Sequence, residues 1–138
     1  MKIKRIEHVA IAVRNLDQVR DTFAKLGIGC DHEETLAEHK VRLAMLPIGE
    51  SAIELLEPQS DTGATAEWLR EKGESLWHIC LEVDDIEAAL AELKAKGVKL
   101  RDEVPRNGHG GHRIAFLDPA STAGILVELV EMVGAPHA

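Results

Sequence analysis

Two histidines and two glutamates stand where a β-strand would ordinarily carry valine or leucine. His8 opens the run His8-Val9-Ala10-Ile11-Ala12-Val13, and His78 opens His78-Ile79-Cys80-Leu81-Glu82-Val83. Glu54 interrupts Ile53-Glu54-Leu55-Leu56, and Glu128 interrupts Leu126-Val127-Glu128-Leu129-Val130. A carboxylate that is ionised and alone in an apolar interior costs on the order of several kcal/mol, so each glutamate must sit at an edge, hold a proton or meet a cation. Imidazole with carboxylate suits zinc, cobalt, nickel, manganese or iron rather than a thiolate-loving ion. Four such ligands on an octahedral ion leave two positions for water or substrate oxygens. Small Ala10, Ala12 and Cys80 beside the histidines leave room for both.

Taken singly, a strand histidine is ordinarily a satisfied core residue, and a strand glutamate is an edge charge that discourages aggregation. An internal repeat weighs against that reading. A shift of 70 residues lays His8 on His78, Val13 on Val83, Leu16 on Ile86, Phe23 on Leu93 and Gly27 on Gly97. The glutamates occupy corresponding places further along each half. Two copies of this length fit one pseudo-symmetric domain over residues 1–138, with halves of about 1–62 and 63–134, better than a solenoid.

The elements that must position these residues follow from periodicity. Around 78–83 the side chains alternate, with Ile79, Leu81 and Val83 on one face and His78, Cys80 and Glu82 on the other. Asp84, with Glu87 three residues on, makes a capping-box pattern for a helix. Ile86, Ala89, Leu90 and Leu93 recur at helical spacing until Gly97 stops it. In the first half the strand covers 6–13, Asn15 with Gln18 caps the next helix, and that helix ends near Leu26. The polar stretch 31–39 reads as a short strand plus a mobile loop. Residues 41–46 and 52–56 form a hairpin across 47–51. A short helix over 64–72 is closed by Gly73. A second hairpin joins 113–117 to 125–130. Each half is thus βαβββ, and the pair makes an α+β fold with helices outside a half-open, curled sheet that encloses a cleft.

Bulk properties narrow the function. A net charge of −8, two Phe, two Trp and no Tyr leave no basic field for a polyanion and little to stack on bases. Cys30 and Cys80 are far apart and in no paired motif, as expected of plain thiols in a reducing compartment. With no run long enough to cross a membrane and no signal-like N-terminus, a soluble cytoplasmic protein is expected. His32 and His39 read as solvated, His137 as tail, and His109 and His112 as flanking a flexible Gly110-Gly111 element able to bring backbone amides to an anion.

Nearly the whole chain then resembles the vicinal oxygen chelate superfamily, with its glyoxalase-like fold, and within it the methylmalonyl-CoA epimerase family. The similar segments are IEHVAIAV, AMLPIGESAIELLEP, WHICLEVDDIEAALAELKAKGV and the more specific GHGGHRIAFLDPASTAGILVELVE. The resemblance implies a homodimer holding a divalent metal, most often cobalt, on His8, Glu54, His78 and Glu128. It implies a CoA thioester substrate epimerised by α-proton removal and return; in this chain Glu128 is expected to be one base, with Glu54 or a bound water serving the other face in place of a missing carboxylate. The family's second carboxylate falls on Arg42, which cannot act as a base at neutral pH. Arg42, together with Gly110, Gly111 and Arg113, is instead expected to touch the substrate, and Lys2, Lys4, Arg5 or Arg106 to meet the CoA phosphates. The nearest rival activity is that of lactoylglutathione lyase, which uses the same ligand order.

Overall fold

A computed structural model describes residues 1–134; His137 lies outside the described residues. The chain forms two compact units, one comprising His8–Trp77 and the other Met1–Glu7 with the chain from His78 onward. The first seven residues therefore belong with the second half, a boundary that the repeat alone does not reveal.

The His8–Trp77 unit contains most of β1 (Ile3–Ala12), then α1 (Leu16–Lys25), β2 (His32–Leu36), β3 (Val41–Ile48), β4 (Ser51–Pro58) and α2 (Ala64–Lys72). Its strands lie in the order β2-β3-β4-β1, with β1 parallel to β4 and the other neighbours antiparallel. The second unit contains β5 (Ser75–Val83) from His78 on, α3 (Ile86–Ala95), β6 (Arg106–Asn107), β7 (Arg113–Phe116) and β8 (Leu126–Glu131). It repeats the topology as β5-β8-β7-β6, with β5 parallel to β8. The α+β tandem of βαβββ units is the fold expected from the sequence.

Local chemistry explains the helices. Asn15 caps α1 by accepting the Gln18 amide. The second cap is Asp85 rather than Asp84: the Asp85 side chain accepts the Ala88 amide, while Asp84 Oδ1 takes the amides of Asp85 and Lys2. Gly27 and Gly97 end the two helices at φ of 84° and 85°, a region that costs a Cβ-bearing residue about 1–2 kcal/mol. Each helix covers one face of its sheet. Leu16, Val19 and Phe23 pack with Val13, Ala44, Leu46 and Leu55, and Ile86, Ala89 and Leu90 pack with Ala115, Leu117, Val127 and Leu129. A carboxylate at the end of the last strand of each unit accepts the first helical amide, Leu16 N to Glu57 at 2.7 Å and Ile86 N to Glu131 at 2.9 Å.

Candidate metal centre

Within the His8–Trp77 unit the face turned away from α1 is small and apolar except at a few points. Ala10, Val41, Leu43, Met45 and Leu56 pack there, with Leu36 and Ala52 against them. Strand alternation puts His8 on that face two residues before Ala10, and Glu54 two residues after Ala52. The parallel register sets Ala10 opposite Glu54. Both side chains are buried, and His8 Nε2 lies 3.2 Å from Glu54 Oε1.

The second unit repeats this construction. Cys80, Ile114 and Val130 form the face opposite α3, with Phe116 and Met132 against them. His78 precedes Cys80 by two residues, and Cys80 sits opposite Glu128 in the parallel β5/β8 register. His78 Nε2 lies 3.1 Å from Glu128 Oε1, and both residues are buried. The Phe116 ring meets the His78 imidazole edge-on at 5.3 Å, which limits its rotation. The interpretation of these glutamates as exposed edge charges is excluded by their burial.

The donor chemistry of each pair fits a divalent cation. Ligands about 2.1 Å from an ion and at right angles to each other stand about 3.0 Å apart, and at the tetrahedral angle about 3.4 Å. The two His–Glu separations fall between these values. Burial of a carboxylate beside an imidazole is also costly unless the charge is compensated, which an ion does directly.

The arginines expected to touch substrate lie elsewhere. Arg42 sits on the opposite face of β3 from Leu43, where its guanidinium holds Asp17 of α1 through two bonds of 2.8 and 3.2 Å and Glu33 through one of 2.8 Å. The hydrogen bond to Asp17 is the main reason its pKa rises further and Asp17's falls. Arg113 likewise points to the helix side, bonding Glu87 of α3 at 2.8 Å, and that bond raises its pKa. Strand period is two, so a one-residue difference in register turns a side chain to the other face. The Gly110-Gly111 element is a tight turn with φ of 60° and 75°. Its Gly111 amide donates to Gly108 O rather than being held out for an anion. Lys4 and Arg5 engage Glu82, and Arg106 engages Asp102.

Sequence reasoning missed two further pairs. His109 Nε2 lies 3.0 Å from Glu7 Oε1 with both residues buried, and the adjacent His112 Nδ1 accepts the Val133 amide. No pattern in the chain links Glu7 to His109. His32, expected to be solvated, is half-buried and lies 3.1 Å from Glu34 Oε1.

The model of the Glyoxalase/Bleomycin resistance protein/Dioxygenase superfamily matches residues 7–116, and the chain belongs to that family. Among curated proteins, the mitochondrial methylmalonyl-CoA epimerase of Dictyostelium discoideum is 37% identical over 132 residues, covering 94% of this chain and 79% of that one. A probable lactoylglutathione lyase of Vibrio cholerae is 30% identical, covering 95% and 93%. Among solved structures, a variant of the Streptomyces coelicolor methylmalonyl-CoA epimerase in complex with 2-nitronate-propionyl-CoA superposes with a TM-score of 0.93 at 35% identity, covering 99% and 100%. The fold is the glyoxalase-like one of these epimerases.

Proposed function

We propose that the protein is a metal-dependent epimerase that interconverts (R)- and (S)-methylmalonyl-CoA. The observation that carries this reading is the duplicated His–Glu pair, His8 with Glu54 and His78 with Glu128, each buried at ligand–ligand spacing in a chain similar to such epimerases. In this reading the four side chains hold one divalent ion. Cobalt is the ion favoured by the family resemblance, and zinc, nickel, manganese or iron suit the same donors. A homodimer and a cytoplasmic location belong to the same proposal. When bound, the ion would act as a Lewis acid on the thioester oxygen.

The carbon to be inverted lies between a thioester and a carboxylate, so removal of its proton leaves a delocalised enolate. Glu128 takes that proton, and inversion then requires a proton delivered to the opposite face. Glu54 or a bound water is what the ligand set itself provides for that delivery. The apolar side chains around each pair, Leu43, Met45 and Leu56 in one unit and Ile114 and Val130 in the other, keep bulk water from the carboxylates.

The test is incubation of each methylmalonyl-CoA epimer with purified protein in D2O, beside the hemithioacetal of methylglyoxal and glutathione. Conversion of either epimer to the mixture, with deuterium entering at the α-carbon, is expected. Turnover of the hemithioacetal alone would transfer the site to the lyase reaction, which the Vibrio relative makes the second reading.

A further inference from the structure

We infer that Arg106 anchors the free carboxylate of the substrate's acyl group. This rests on the epimerase reading above and names the residue that holds the acid, a task the paired histidines and glutamates leave open. Every residue involved belongs to the second unit. Strand β6 is antiparallel to β7 with Arg106 opposite Ile114. Ile114 is in turn opposite Val130, and Phe116 opposite Glu128. Residues in register share a face, so Arg106 lies on the same side of this sheet as Phe116 and Glu128. Two observations agree with that parity. Ile114 and Val130 pack with Cys80 on that side, with Phe116 against them. Arg113, one residue out of phase with Ile114, reaches Glu87 on the helix side.

The Arg106 side chain is held in place from two directions. Asp102 Oδ1 lies 3.1 Å from its Nε, and Asp102 Oδ2 accepts a hydrogen bond from its Nη2 at 3.2 Å. Asp102 is itself tied to β7, because Oδ2 also accepts the Phe116 amide at 2.9 Å and the Asp102 amide donates to Phe116 O. The guanidinium carbon stands 6.0 Å from the centre of the Phe116 ring, at the outer limit of a cation–π contact. Asp102 takes one edge of the guanidinium fork, and the two hydrogens on Nη1 are left for a second anion. With 47% of the side chain exposed, Arg106 is accessible to one.

Distance decides which anion. Phe116 also meets the His78 imidazole, at 5.3 Å between ring centres, and His78 Nε2 is 3.1 Å from Glu128. The two ring contacts limit the guanidinium–imidazole separation to roughly 11 Å, whereas the arm from a CoA thioester sulfur to its nearest phosphate is about a dozen bonds, roughly 15 Å when extended. A carboxylate one carbon from a thioester held beside His78 and Glu128 falls within that limit. A CoA phosphate does so only if the arm folds back. A planar acid with two oxygens is also the partner that a guanidinium fork matches best. With the acid anchored, removal and return of the α-proton moves the methyl group and leaves the carboxylate where it was. Asp102 acts as a positioning residue.

The experiment compares wild type, R106Q and R106K with two ligands that share every CoA phosphate, methylmalonyl-CoA as substrate and propionyl-CoA, which lacks the acid, as competitive inhibitor. R106Q should raise KM for both methylmalonyl-CoA epimers by about 10- to 10²-fold while the inhibition constant of propionyl-CoA stays within about twofold of wild type. Unchanged propionyl-CoA binding also shows that the variant is folded. R106K, which keeps the charge and loses the fork, should fall between. Equal weakening of both thioesters would reassign Arg106 to the phosphates and overturn the proposal. So would a KM in R106Q equal to that of wild type. A wild-type protein that converts neither epimer would remove the epimerase reading itself, an outcome separate from either variant result.

Discussion

The two halves of the molecule agree at their buried His–Glu pairs and helix ends, and differ at the outermost strand. His8–Glu54 and His78–Glu128 differ by 0.1 Å in separation, and Glu57 and Glu131 take the same helical amide. Arg42 grips Asp17 as Arg113 grips Glu87, at the same place in the first helical turn. At the outer edge the first half has the five-residue β2 with His32 and Glu34 on its inner face. The second has only the two-residue β6, followed by a glycine turn that buries His109 against Glu7. Both halves keep a buried His–Glu pair and a carboxylate on the first helical amide, whereas their edge strands differ in length. One now presents a half-exposed carboxylate and the other a closed polar plug.

The largest expected effect tests the symmetric part. H8A and H78A remove equivalent members of the proposed ligand set, and each should reduce bound metal from one ion per chain to a small fraction, read by elemental analysis of the purified protein. The loss of several kcal/mol of charge stabilisation should lower kcat/KM by roughly 10³-fold in either variant. If one variant retains full stoichiometry, each pair does not contribute to a single site and the equivalence of the halves ends at geometry. Treatment with a chelator should reproduce the loss, with recovery on adding cobalt.

E128Q sharpens the comparison, because it preserves the shape of the side chain and removes its basicity. Solvent-deuterium exchange at the α-carbon should be abolished, with a rate loss of about 10²- to 10⁴-fold. Retention of full exchange would refute Glu128 as the base.

The edge turn offers a third test. A Cβ built on Gly108 would approach Ile114 Cγ2 to 2.6 Å, whereas one on Gly27 or Gly97 meets nothing within 4 Å. G108A should therefore destabilise by about 1–3 kcal/mol through overpacking. G27A and G97A should each cost about 1–2 kcal/mol through backbone strain alone and should match each other. Thermal melts of the three variants measure this directly. A G108A protein as stable as wild type would mean that Ile114 yields freely.

Much of this arrangement was legible in the chain. The apolar alternation of 79–83, the 70-residue repeat and the four residues that form the two buried His–Glu pairs all follow from patterns in the sequence. Three things were not legible, each for a physical reason. Asp84 and Asp85 have the same capping chemistry, and only backbone geometry decides that Asp85 receives the Ala88 amide. The run Val41 to Leu46 is apolar on both faces, so nothing in it reveals which way Arg42 points until the partner strands supply the parity. The stretch His32-Glu33-Glu34-Thr35-Leu36 is an edge strand with a single apolar side chain turned inward, so its period of two is hidden from hydropathy. For the same reason His32 reads as a solvated residue, although it shares a sheet face with Met45 and Glu54.

The smallest expected effect concerns the paired arginines. Asp17 is exposed, and its carboxyl is held below the usual aspartate range mainly by the Arg42 hydrogen bond. A group whose pKa is lower in the folded than in the unfolded chain contributes stability above its unfolded value, about 3.9, and loses that contribution as pH falls through the folded value. D17N should therefore lower Tm slightly at neutral pH and converge with wild type at the acid end of a pH series, where the wild-type carboxyl is itself protonated. Solvent screening keeps the effect small. The equivalent E87Q should have less effect still: Arg42 bridges Asp17 twice and Glu33 once, whereas Arg113 makes a single close contact with Glu87 and reaches Glu131 only at 3.7 Å. An equal loss of Tm at neutral pH in D17N and E87Q would show that the cross-bracing by Glu33, present in the half with the longer edge strand, adds nothing to the helix anchor.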